Sequence, residues 1–366
     1  MRISKTRTAV TALAAGAAVA ALVTAPAAGA HTDQHRHRGA TTFTQLNLVS
    51  DQPGVAAITD PNLVNAWGMS HGPNTPLWVS DNGADVSTLY RGAVGGAPVS
   101  AVPLVVSVPG GAPTGQVFND TSGFIVPGTS SPALFLFAGE HGDLSAWNQA
   151  VSPATSAVPV GHVDGAVFKG LTLVHSPFGP LLLAADFHHN TVDVFDATFT
   201  RLPVDGLFRD RSLPRGYAPF NVAAIGDRVF VTYAEQDASG MDDVAGRGHG
   251  FIDVFTTYGV LEHRFASRRV LNSPWGLAIA PSTFGTFAGD LLVGNFGDGR
   301  IHAFDPRTGH LDGTLRDGHH RELVIDGLWG LIQGDPVAGG ADSLWFSAGP
   351  ADESHGLLGK FVPQIP

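Results

Sequence analysis

The chain has 366 residues, of which 43% are hydrophobic and 14% charged, with 46 glycines, 25 prolines and no cysteine. That excludes disulfides, thiolate metal sites and a cysteine nucleophile, and it favours many short strands joined by tight turns over long helices. Acidic side chains outnumber basic ones by 32 to 21, so the body repels phosphate backbones and nucleic acid is not an expected partner.

Residues 1–30 read as a secretory signal peptide. Arg2, Lys5 and Arg7 give a positive start, an apolar run extends from Ala9 to about Val23, and small residues end at Ala28-Gly29-Ala30. Export and an extracellular location follow as expectations. The run is Ala-rich and short for a membrane span, and no later segment is long and apolar enough to be one. Residues 31–42, HTDQHRHRGATT, read as a His-rich polar linker. His31 at a new N-terminus could chelate a divalent ion, although a disordered tail explains the composition as well.

From residue 43 to 366 the chain repeats itself. An aromatic followed by a small or polar residue, opening an apolar run, recurs at Trp67, Phe118, Phe168, Phe220, Trp275 and Trp329. Each anchor is followed by a second apolar segment ending in a polar turn: LWVSDNG (77–83), LFLFAGEHG (134–142), LLLAADFHHN (181–190), RVFVTYAEQD (228–237), LLVGNFGDG (291–299) and SLWFSAG (343–349). A third strand comes next in each unit, as in TVDVFD or RIHAFD. One such small sheet cannot bury both faces alone, but six arranged radially can. The expected fold is therefore all-β, a six-bladed β-propeller over residues 43–366. The odd strand FTQLNLVS (43–50) follows no complete unit, so it is expected to pair into the last blade and close the ring without leaving a bare sheet edge.

The fifth unit, SPWGLAIAP (273–281) with GDLLVGNFGDGRIHAFDPRTG (289–309), resembles the NHL repeat; LLLAADFHHNTVDVFD (181–196) resembles it more loosely. With NLVSD near the start and NAWGM at the first anchor, the ensemble resembles a family of secreted bacterial propeller proteins without an assigned activity. The resemblance implies the fold and is silent about chemistry. Six-bladed lactonases are related by architecture only.

Candidate chemistry sits where inner strands begin, because those residues approach the central funnel. Asn65, Lys169 and Ser273 are candidate ligand-binding residues. Asn119, Asn221 and Asp326 supply oxygens suited to a hard divalent cation such as calcium, and six-bladed lactonases hold a divalent cation in such a funnel. Lys169 argues against that cage, and a water-filled channel lined by amides, with Lys169 pairing a carboxylate, is the alternative. His141 and His188 are candidate acid–base catalysts on loops, although exposed loop histidines need no such role. Asp81, Asp186 and Asn295, after the second strands, are expected to satisfy the backbone of their own turns. The six aromatics are expected to wedge between blades near the axis. The long insertion QDASGMDDVAGRGHG (236–250) reads as a loop over one face of the disc. No GxSxG, HExxH or phosphate-binding glycine motif stands in its required context. Three functions remain open: a monomeric extracellular propeller binding a small molecule or protein partner, a metal-dependent hydrolase or lactonase, and a polysaccharide-binding protein.

Overall fold

A computed structural model of the protein describes residues 41–203 and 205–364. The expected signal peptide at 1–30 and all but the end of the expected linker at 31–42 lie outside the described residues. The rest is almost wholly strand and turn, with two single-turn 3-10 helices at Asn82–Ala84 and Gly285–Phe287. No helix among the described residues is long and apolar enough to cross a membrane.

Six antiparallel sheets carry the six units. Their inner strands are Ala66–Ser70, Pro113–Phe118, Phe168–Ser176, Tyr217–Ile225, Pro274–Ile279 and Leu328–Gln333. These contact one another in cyclic order, the sixth returning to the first, which makes a six-bladed propeller. The second strands predicted from sequence are all present, and several, such as Leu77–Asp81 and Phe135–Gly139, are buried at every residue. Burial on both faces explains why these segments read as continuous apolar runs rather than alternating ones: a neighbouring blade covers each side. Outer strands such as Val158–His162 are only partly covered.

The ring closes as expected. Thr42–Ser50 pairs antiparallel with Leu357–Gln364, from Thr42 opposite Gln364 to Ser50 opposite Leu357, with one bulge between Asn47 and Val49. It becomes the outer strand of the sixth blade and buries Phe43, Leu48 and Val49.

Strand register corrects two of the six anchors. Every inner strand carries an irregularity near its start, and the residue opening it is Trp67, Thr114, Lys169, Phe220, Trp275 or Trp329 in blades one to six. Phe118 is four residues too late: it lies at the far end of its strand, opposite Phe135. Phe168 is one residue too early and leaves the axial place to Lys169. In both units the axial residue is not aromatic, so the pattern settled on the nearest aromatic instead.

The residue after each axial position is glycine in five blades, because adjacent inner strands touch there backbone to backbone. A Cβ on Gly68 would lie 2.4 Å from the Thr114 carbonyl oxygen, on Gly115 2.3 Å from the Leu171 nitrogen, and on Gly330 2.7 Å from the Trp67 carbonyl oxygen. Blade four departs from this and places Asn221 there, opposite Gly170. We expect Gly115→Ala to destabilise the protein by about 3 kcal/mol, the upper end of an overpacking cost, because backbone atoms cannot step aside. Gly161→Ala, whose Cβ would meet only Leu144 at an ordinary 3.6 Å, is expected to change the urea midpoint by little. Equal midpoints for the two variants would show that the inner strands do not touch as described.

Candidate functional site

Inner strands begin, and second strands end, on the same face of the disc, so the turns of all six blades converge on the axis there. Below them the axis is filled by side chains. Trp329 stacks on Trp67, ring centroids 3.4 Å apart, and on Phe296 at 3.9 Å, while Trp275 meets both tryptophans edge-on. Phe220 and Phe187 extend the cluster. Four of the anchors, Trp67, Phe220, Trp275 and Trp329, thus form a shared apolar plug, Phe118 and Phe168 pack outside it, and a wide channel lined by amides is not what the axis holds.

Lys169 stands where four other blades place an aromatic ring. Its side chain is 3% exposed, and its Nζ sits 5.1 Å from the Trp67 ring centroid. Nζ donates to Glu140 Oε1 at 2.5 Å and to Asp242 Oδ1 at 3.3 Å. Burial opposes the ammonium charge, yet Glu140 and then Asp242 hold its pKa above the usual lysine value, so Lys169 is a fixed cation rather than a nucleophile. Asn82 Nδ2 donates to Glu140 Oε2 at 3.1 Å, and Asn65 Nδ2 donates to Asn82 Oδ1 at 3.1 Å and to Glu353 Oε2 at 2.7 Å. The Trp329 indole N–H donates to Asn65 Oδ1 at 3.2 Å. Asn65 can serve as this hub because its left-handed backbone, φ 48°, is one that asparagine tolerates well.

The network runs from blade six through blades one, two and three to the loop of blade four. That loop is held in place: Asp237 accepts from the backbone of Ser239, Met241 and Asp242, and Gly246 N donates to Asn272 Oδ1. Burial raises the pKa of Glu353 and of Asp243. Glu140 and Asp242 therefore contact one ammonium group, and Asp243 and Glu353 stand close enough to feel its charge. Two buried indole nitrogens beside them, those of Trp67 and Trp275, make no hydrogen bond among the described residues, and the Ser273 hydroxyl faces the Asp243 carboxylate. The solvent edge is Asp242, with its side chain 75% exposed, then Glu140 at 25%.

The structure thus brings Asn65 and Lys169 into one network and places Ser273 on the same face. It does not assemble Asn119, Asn221 and Asp326. Asn119 follows the far end of its strand, where its side chain caps Thr121 and the Ala133 carbonyl. Asn221 donates to the Trp275 carbonyl at 2.7 Å and accepts from Val222 N, so it ties blade four to blade five. Asp326 is exposed and accepts from Ala351 N. Among the described residues no three His, Asp or Glu side chains are placed to share a metal ion. Among the described residues His141 bonds only the Gly110 carbonyl, and the exposed ring of His188 makes no hydrogen bond. Asp186 does cap its own turn, accepting from His189 N, whereas Asn295 donates to the distant Val270 carbonyl, and Asp81 is buried beside Thr88 with its pKa raised strongly by burial. Sequence reasoning missed Asn82 and Glu353, which lie in turns after second strands and share no repeat pattern.

No family model matches the chain. An uncharacterised protein of Acanthamoeba polyphaga mimivirus is 34% identical over 337 residues, covering 88% of this chain and 81% of that protein. A second from the same virus is 33% identical over 336 residues, covering 89% and 87%. Among solved structures, a protein of unknown function from Bacteroides thetaiotaomicron superposes with a TM-score of 0.54 at 13% identity, over 89% of this chain and 76% of that one, a likeness of fold alone. The structural likeness supports the fold; the two relatives close in sequence are viral, so the bacterial and secreted attributes of the sequence resemblance are not carried by them.

Proposed function

We propose that this chain, which belongs to the protein family of the two uncharacterised mimivirus proteins, is a binding propeller whose axial mouth takes a cationic group of a small molecule or protein partner. One observation carries the reading: Glu140 and Asp242 contact the buried cation Lys169, and Glu353 and Asp243 stand close enough to feel its charge, where loops of several blades converge. The excess negative charge favours a positive ligand, and the exposed Asp242 carboxylate is positioned to meet it. A charged, hydrogen-bonded lysine and two histidines without an acid–base partner do not favour hydrolysis. Export through residues 1–30 remains part of the proposal on the composition of that segment, and N-terminal sequencing of protein from the medium, starting at His31, would bear on it.

Thermal unfolding of the full chain with spermidine, arginine amide, neutral oligosaccharides or calcium chloride tests the site. The amines are expected to raise Tm, and Asp242→Asn to remove most of that gain. Stabilisation by oligosaccharides alone would favour the polysaccharide reading. A calcium effect lost in Asp242→Asn would favour a metal centre instead.

A further inference from the structure

The cleft between blades three and four on the same face has the opposite charge. Blade three has only three strands, Phe168–Ser176, Gly179–Asp186 and Thr191–Phe195. Where other blades add an outer strand, the chain continues into FRDRSLPRG (208–216). Side chains alternate there: Asp210 turns inward, and Arg209 and Arg211 turn out. Asp210 is taken by Arg264 and by the backbone and hydroxyl of Ser212. Arg209, Arg211 and Arg215 line a cleft of about 480 Å³ together with Asn190, Tyr233 and Asp210, the last already paired with Arg264. None of the three arginines makes an ion pair or side-chain hydrogen bond among the described residues, although acidic groups outnumber basic ones in the chain. Tyr233 is 2% exposed, and its hydroxyl faces the Asp253 carboxylate. A second cleft of about 450 Å³ shares Asn190 and Arg209 and extends toward Arg201, which Asp193 holds.

We infer that this cleft is an oxyanion site, built for a ligand bearing phosphate or sulfate groups, with Arg209, Arg211 and Arg215 as its charge. Guanidinium forks match such oxyanions by paired N–H donors, and three cations placed together without carboxylate partners repel one another until an anion joins them. A groove continuing to Arg201 suits a ligand longer than one phosphate.

Calorimetry on the full chain at fixed ionic strength tests the site with two probes, pyrophosphate and a heparin tetrasaccharide. At least one is expected to bind with a stoichiometry near one, and which one binds separates a phosphorylated ligand from a sulfated glycan. Arg211→Ala/Arg215→Ala is expected to weaken binding at least tenfold with an unchanged circular dichroism spectrum. Arg91→Ala removes an exposed cation elsewhere and is expected to leave affinity unchanged. Asp242→Asn should also have no effect, so failure here and failure of the axial reading are separable. The inference is overturned if neither probe binds, or if Arg91→Ala weakens binding as much as the double variant.

Discussion

A chain lacking residues 42–50 is expected to lose its cooperative native state, with aggregation on refolding and no sharp urea transition. The segment supplies the whole outer strand of the last blade and pairs along the length of Leu357–Gln364. Without it that strand becomes a long bare edge, the kind that recruits other chains. The apolar loss is also large. Phe43 is 1% exposed and packs on Phe284 at 5.0 Å between ring centroids, while Leu48 and Val49 are buried beside the first blade's core. Each such side chain contributes about 1.5–3 kcal/mol by burial, a large share of a typical domain's net stability. Phe43→Ala alone is expected to cost about 3–5 kcal/mol, because the cavity left between blades five and six adds to the transfer loss. A synthetic peptide of residues 42–50 added to the truncated chain should restore the sharp transition. A deletion variant with an unchanged urea midpoint would show that the ring does not depend on this strand.

That strand was legible because propeller closure leaves one strand over at an end of the repeat, and the chain has a single apolar candidate before the first unit. The second and third strands were legible for a related reason. They must fill the space between sheets in every blade, so each unit repeats the same apolar pattern. The axial position repeats less strictly. It needs a close approach more than an aromatic ring, and Thr114 and Lys169 satisfy it with no aromatic side chain. Glycine at the next position, constant in five blades, is the better marker, and Asn221 shows how the sixth manages with a side chain bonded to Trp275. The candidate site was half legible. Asn65, Lys169 and Ser273 stand on repeating strands. Their partners do not: Glu140, Asp242 and Glu353 come from turns of different length, and Asp242 meets Lys169 across 73 residues of chain. Only the closed ring brings those turns together, so no local pattern announces them.

Lys169→Met is expected to destabilise the protein by about 3 kcal/mol at neutral pH, the lower end of the cost of breaking a buried ion pair. The replacement fits the same volume and can still cover Trp67, so the loss is electrostatic. It leaves Glu140 and Glu353 crowded at the mouth with no cation, while Asp242, mostly in water, loses little. Two consequences separate this from a packing defect. First, Lys169→Met/Glu140→Gln should recover much of the loss, because the carboxylate closest to Nζ is no longer charged; a double-mutant cycle reads this coupling directly. Second, the pH dependence has a defined sign. The folded pKa of Lys169 is raised, so its contribution is present below the ordinary value of 10.5 and is lost only as pH climbs through the folded value. The wild-type advantage should therefore persist to mildly alkaline pH. It should narrow on acidification, which neutralises the orphaned carboxylates of the variant. A loss that stayed constant down to acidic pH and was not relieved by Glu140→Gln would mean that Lys169 acts by shape alone, and the mouth would then have no special affinity for a cation.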